Sequence, residues 1–124
     1  MENVKKKQYQ QKGRKMLRAS KIIVTADGQK LTISPKGDID HHSARTLRER
    51  IDNEMYLNRP ETLILDLSGL EFMDSSGLGL LLGRYQRAKD IGCELKLTGC
   101  SERIMKILSL AGADKMFDFI GKAI

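Results

Sequence analysis

Leu63-Ile64-Leu65-Asp66-Leu67 leads through Ser68-Gly69 and Glu71-Phe72-Met73 into Asp74-Ser75-Ser76-Gly77-Leu78-Gly79. The first five residues are almost continuously apolar, which suits a central strand covered on both faces. Ser68-Gly69 breaks the run, and Glu71 to Met73 reads as a short apolar link. After Asp74 the pattern changes to helical spacing: Leu78, Leu81, Leu82, Tyr85, Ala88 and Ile91 form one stripe. Arg84, Arg87 and Lys89 fall elsewhere on that wheel. Two hydroxyls, Ser75 and Ser76, therefore stand where a buried strand turns into a helix.

Outward from this stretch the chain alternates strands and helices. Ile22 to Thr25 and Leu31 to Ile33 flank Asp27-Gly28 and predict a β-hairpin, with Pro35 and Gly37 ending the second strand. Ala44, Leu47, Ile51 and Met55 predict an amphipathic helix, capped by Asp40 or Ser43 and stopped at Asn58-Arg59-Pro60. Gly92 is placed to end the second helix, and Glu94 to Thr98 alternates as a strand. Ser101 opens a third helix through Ile104, Ile107, Leu108 and Ala111, ended by Gly112. Met116 to Ile120 reads as a last short strand or turn. This order predicts an α/β fold, a small mixed β-sheet with helices packed mainly on one face.

At 124 residues the chain is one small domain with enough length for a core. Aromatics are 5% and Trp is absent, so aliphatic side chains fill the core. A base-stacking platform for nucleic acid is excluded on the same ground. The net charge of +6 is uneven. Residues 1–21 hold eight basic residues against one acid, and the rest hold fourteen against fifteen. Residues 1–20 read as a disordered basic extension and 21–124 as the folded domain. Lys12-Gly13-Arg14-Lys15-Met16 is encodable as a purine-rich ribosome-binding site before a start codon, which would make Met16 the native start. Cys93 and Cys100 form no CxxC pair and read as reduced packing residues. No apolar run is long enough for a membrane span, and no signal peptide is expected. A cytoplasmic, membrane-free protein with no direct DNA binding follows as the expectation.

The serines lack the means to act as nucleophiles. A hydrolase needs a base within reach, and the only imidazoles, His41 and His42, are adjacent at a helix start. Those two histidines and two distant cysteines make no zinc tetrahedron, and no lysine completes a phosphate-binding loop. A phosphate-receiving receiver domain using Asp66 is the rival reading, since Leu65-Asp66-Leu67 resembles a phosphoacceptor strand. It lacks the acidic pair needed to hold Mg²⁺, because Asp27 is a single acid in a predicted hairpin. The residues alone leave Ser75 open as either a helix cap or a modified hydroxyl.

Residues 22 to 120 resemble the STAS-domain anti-sigma factor antagonists, most closely the sporulation type. Gly37-Asp38-Ile39-Asp40-His41-His42 resembles the family's G-E-L-D-H-H turn, with Asp38 in place of Glu. Phe72-Met73-Asp74-Ser75-Ser76-Gly77-Leu78-Gly79 matches its F-M-D-S-S-G-L-G, and Leu82-Gly83-Arg84-Tyr85 its L-G-R-Y. The resemblance implies a non-enzymatic binding module without metal or cofactor. It implies that the unmodified form binds an anti-sigma factor serine kinase, releasing a sigma factor. Phosphorylation of Ser75 ends the binding, and a PP2C-type phosphatase resets it. The partner surface so implied comprises Asp40, His41, Asp74, Ser75, Ser76, Gly77, Leu78, Arg84 and Arg87, on a chain expected to be monomeric when free. His41 reads more readily as a solvent-facing residue and Ser76 as a cap or first-turn residue, while Arg84 and Arg87 read equally as a solvated face. The family also implies a C-terminal helix after the last strand, for which this sequence has no counterpart before Ile124.

Overall fold

Leu31, Leu63 and Leu95 lie in one row across three neighbouring strands, and Ile33, Leu65 and Leu97 in the next. All six are buried. Alternation places both rows on the same face of a pleated sheet, so they form the floor of the core. The computed structural model describes residues 21–121. Expectations for residues 1–20, including Met16 as a start, lie outside the described residues, as do residues 122–124.

The elements run β1 (Lys21–Asp27), β2 (Lys30–Ile39), α1 (His41–Asn58), β3 (Thr62–Asp66), β4 (Leu70–Met73), α2 (Ser75–Asp90), β5 (Glu94–Thr98), α3 (Glu102–Leu110), a 3-10 turn (Ala113–Lys115) and β6 (Asp118–Phe119). The sheet order is β1-β2-β3-β5-β6, with β4 also paired to β2. Only β1 is antiparallel to its neighbour. The expected mixed sheet with helices mainly on one face is the observed fold. Leu47, Ile51 and Met55 of α1, Leu80 and Leu81 of α2 and Ile104 and Leu108 of α3 close the core. The opposite face carries the register row Thr32, Ile64, Lys96 and Asp118. There Lys96 lies 3.8 Å from both Glu94 and Asp118.

Three local expectations are corrected. Pro35 and Gly37 do not end β2, which runs on to Ile39. Pro35 stays in register with Ile22 of β1, and proline is tolerated because the other edge of β2 is between partners there: pairing with β3 ends at Ile33 and pairing with β4 begins at Gly37. Gly37 takes the left-handed φ of 87° beside a β-bulge, and its N–H donates to the Gly69 carbonyl at 3.0 Å. Secondly, Glu71 to Met73 is not a link but part of β4, parallel to the upper half of β2. Thirdly, the buried stripe of α2 is Gly77, Leu80, Leu81, Arg84 and Ala88. Leu78, Leu82 and Tyr85 are only partly buried, and Ile91 is exposed.

The helix limits follow the expected chemistry. Arg59 ends α1 in the left-handed region at φ 45°, ahead of buried Pro60. Ser101 caps α3, its hydroxyl accepting from the Ile104 N–H at 3.1 Å. Phe117 turns inward to meet the Tyr85 ring edge-on at 5.4 Å, so the last strand shrinks to two residues.

Candidate functional site

Ile39 ends β2 in register with Met73, which ends the parallel strand β4. Each is followed by an aspartate, and each aspartate opens a helix. Asp40 caps α1 and Asp74 caps α2. The Asp74 N–H donates to the Ile39 carbonyl at 3.1 Å, so the second cap is tied to the first strand. Two helix N-termini therefore start side by side at one end of the sheet.

Asp40 makes a full capping box. Its Oδ1 accepts from the His42 N–H at 2.9 Å and the Ser43 N–H at 3.0 Å, while its own N–H donates to Ser43 Oγ at 3.0 Å. The Ser43 N–H, followed by weaker donors and the His42 charge, holds the Asp40 carboxyl below its ordinary pKa. His41 and His42 are exposed, their rings edge-to-face at 5.7 Å.

Asp74 caps more simply, accepting from the Ser76 N–H at 2.8 Å. Its carbonyl accepts from the Gly77 and Leu78 N–H groups at 2.9 and 3.3 Å. Ser75 is the first residue of α2 and is exposed; Ser76, beside it, is half-buried. Asp74 fills the cap position, so Ser75 is not the N-cap that the sequence left open. Neither serine hydroxyl has a hydrogen-bond partner among the described residues. Gly77 is buried, and a Cβ there would fall on Met73 Cγ, 2.9 Å from Met73 Sδ and 3.2 Å from Ile39 Cγ2. The glycine thus lets the helix start descend onto the ends of β2 and β4. Leu78 is partly buried just beyond.

Asp40, His41, Asp74, Ser75, Ser76, Gly77 and Leu78 thus gather around the two helix starts. Arg84 and Arg87 stand apart, further along α2. Arg84 is not on a solvated face: it is 8% exposed, and its Nε lies 2.9 Å from Asp52 Oδ1 of α1. A helical wheel that assigns arginine to water misses this, because the partner acid is on another helix. Burial pushes the Arg84 pKa down, Asp52 raises it, and Arg48 and Arg87 lower it further. Arg87 is exposed. Phe72, 44% exposed and in register with Asp38, also lies near the helix starts and was not singled out in the sequence. The break in alternation at Leu70-Glu71-Phe72-Met73, where the two outer residues are buried and the two inner ones exposed, was its signal.

The receiver reading is not favoured. Asp66 closes β3 with its carboxylate accepting from the Ser68 N–H at 3.1 Å and the Ser68 hydroxyl at 2.8 Å. Asp27 pairs across Lys30 with Thr62, at the other end of β3, about 13 Å away along the strand. Among the described residues no group of three or more His, Cys, Asp or Glu side chains could hold a metal ion. No helix among them is long and apolar enough to cross a membrane.

Comparison with known proteins places this geometry. The STAS domain family matches residues 21–123. The anti-sigma F factor antagonist of Paenibacillus polymyxa is 33% identical over 86 residues, 69% of this chain and 74% of that protein. The anti-sigma-B factor antagonist of Bacillus subtilis (strain 168) is 30% identical over 102 residues, 82% of this chain and 92% of that protein. Among solved structures, the anti-sigma factor antagonist SpoIIAA in its unphosphorylated form superposes with a TM-score of 0.69 at 24% identity, covering 82% of this chain and 89% of that one. The Bacillus cell fate determinant SpoIIAA in its phosphorylated form gives 0.64 at 25% identity, covering 84% of this chain and 93% of that one. The paired helix starts, the parallel register beneath them and the match across nearly the whole described chain lead to one conclusion: this chain belongs to the STAS-domain family.

Proposed function

We propose that the protein is an anti-sigma factor antagonist whose binding is switched at Ser75. In this reading the unmodified form binds an anti-sigma factor serine kinase and frees its sigma factor. The kinase phosphorylates Ser75, the complex parts, and a PP2C-type phosphatase restores the hydroxyl. The chain itself is a binding module rather than an enzyme. The observation that carries the reading is the Ser75 hydroxyl: exposed, unpartnered among the described residues, and at the first position of a helix within the Phe72–Gly79 motif.

The physics of that position supports the reading. A phosphoserine carries about −1.5 to −2 charges near neutral pH. At a helix N-terminus the free N–H groups and the macrodipole favour such a charge. The modified fold is then stable, and the opposition arises in the complex, where a dianion enters a close-fitted surface. Asp74 holds the loop and does no covalent chemistry.

The test uses two purified anti-sigma serine kinases, the F type and the B type, with ATP. One phosphate at Ser75, located by peptide mass spectrometry, is expected with the cognate kinase. Phosphate at Ser76 alone, or none with either kinase, overturns the reading. Ser75→Ala should remain bound to the kinase, and Ser75→Asp should bind weakly.

A further inference from the structure

Arg84 reaches across the seam between α2 and α1 to Asp52, and its surroundings are over-supplied with positive charge. Arg48 precedes Asp52 by four residues on α1, and Arg87 follows Arg84 by three on α2. Helical spacing puts each on the same face as its neighbour. Arg48 and Arg87 both act on the Arg84 charge, so three guanidinium groups share a seam whose ion pair supplies one carboxylate, Asp52. Arg48 and Arg87 are exposed, and neither forms an ion pair among the described residues.

The central pair is also incomplete. Asp52 Oδ1 lies 2.9 Å from Arg84 Nε, yet the two are not aligned as donor and acceptor, so they attract as charges without closing a hydrogen bond. Arg84 Nη1 is buried with no acceptor among the described residues. A guanidinium cannot shed its charge to escape this position. A buried donor left unpaired is costly, and an acceptor that reaches it recovers that cost.

We propose that the Arg48–Arg84–Arg87 notch between α1 and α2 is a docking site for a carboxylate side chain of an acidic protein partner. The proposal extends the partner-binding reading above by giving the chemistry of the contact. A carboxylate fits better than a nucleic-acid backbone. The notch presents one buried donor flanked by two exposed cations, not a row of cations along which phosphates could track. Its position also suits a protein that reaches Ser75. Arg84 is nine residues further along the same helix, about 13 Å, within the span of one interface patch.

The experiment follows arginine Nε–H signals by NMR during titration of the whole chain with a blocked hexaglutamate peptide. A hexaglutamine peptide and a DNA duplex serve as comparisons. The expected result is a shift of Arg48, Arg84 and Arg87 with Arg45 and Arg103 unmoved. The Arg48→Glu/Arg87→Glu double variant, altered only at exposed positions, should bind the peptide at least about tenfold more weakly. Equal shifts at all arginines, unchanged affinity of the double variant, or preference for DNA overturns the proposal. Localised peptide binding alongside failure of every kinase to modify Ser75 supports the notch and counts against the phosphorylation reading alone.

Discussion

Met73 occupies the space that a side chain at Gly77 would need. A Cβ at Gly77 would meet Met73 at both Cγ and Sδ, and Ile39 beyond it. By contrast, Gly79 and Gly83 on the same helix have nothing within 4 Å of such a Cβ. Gly77→Ala is therefore expected to destabilise the fold by about 1–2 kcal/mol, overpacking outweighing the better helix propensity of alanine. Gly79→Ala and Gly83→Ala should each stabilise it by about 0.5–1 kcal/mol. Urea unfolding midpoints would check the opposite signs.

The Arg84–Asp52 pair predicts an asymmetry between single and double changes. Asp52→Asn leaves a buried guanidinium without its counter-charge and should cost about 2 kcal/mol. This is below the usual cost for a fully buried pair, because the Asp52 side chain is 24% exposed. Replacing both residues, as Asp52→Leu with Arg84→Met, should cost less than Asp52→Asn alone. A double-mutant cycle in urea would show this, and equal losses would contradict it.

Asp40 gives the fold an acid-sensitive clasp. Its folded pKa is depressed below the ordinary 3.8, chiefly by the Ser43 N–H. The stabilisation is therefore fully present above pH 3.8 and is lost as pH falls through the lower folded value. Asp40→Asn keeps a capping oxygen but removes the charge. It should flatten the decline in stability below that pH while changing stability at pH 7 much less. Unfolding midpoints measured across the acid range on both proteins would decide.

The cysteines should be sluggish thiols. Burial, with some help from Asp66, raises Cys100 to about 11, and burial raises Cys93. At pH 8 the Cys100 thiolate is then about 100-fold scarcer than in a thiol with a pKa of 9. Alkylation of Cys100 by iodoacetamide should be slower in the native protein than in urea by about that factor. Equal rates would contradict the burial argument.

Much of this arrangement was legible from residue order. Apolar 63–67, the Asp27-Gly28 turn, the caps at Asp40 and Ser101 and the spacing of Leu47, Ile51 and Met55 all register local preferences. The motif around Ser75 was equally plain. The illegible parts depend on distant partners. Pro35 and Gly37 look like a strand end until the exchange of β3 for β4 is known. Glu71 to Met73 is too short to read as a strand without β2 beside it. Arg84 looks solvent-facing until α1 brings Asp52 to it, and the stripe of α2 turns with Gly77, which has no side chain to hold the helix away from Met73.

Along one edge the ten residues of β2 serve two neighbours in succession, β3 on Lys30 to Ile33 and β4 on Gly37 to Ile39 with a bulge at Gly37/Asp38, while β1 pairs the other edge from Lys30 to Lys36. The strand is consequently indexed twice. Its lower half fixes the core, and its upper half fixes the level at which both helices begin. Repacking around Leu31, Leu63 and Leu95 can then drift with little effect on the helix starts. An insertion between Ser34 and Gly37 would do the reverse, leaving the core rows aligned while moving Asp40 out of step with Asp74.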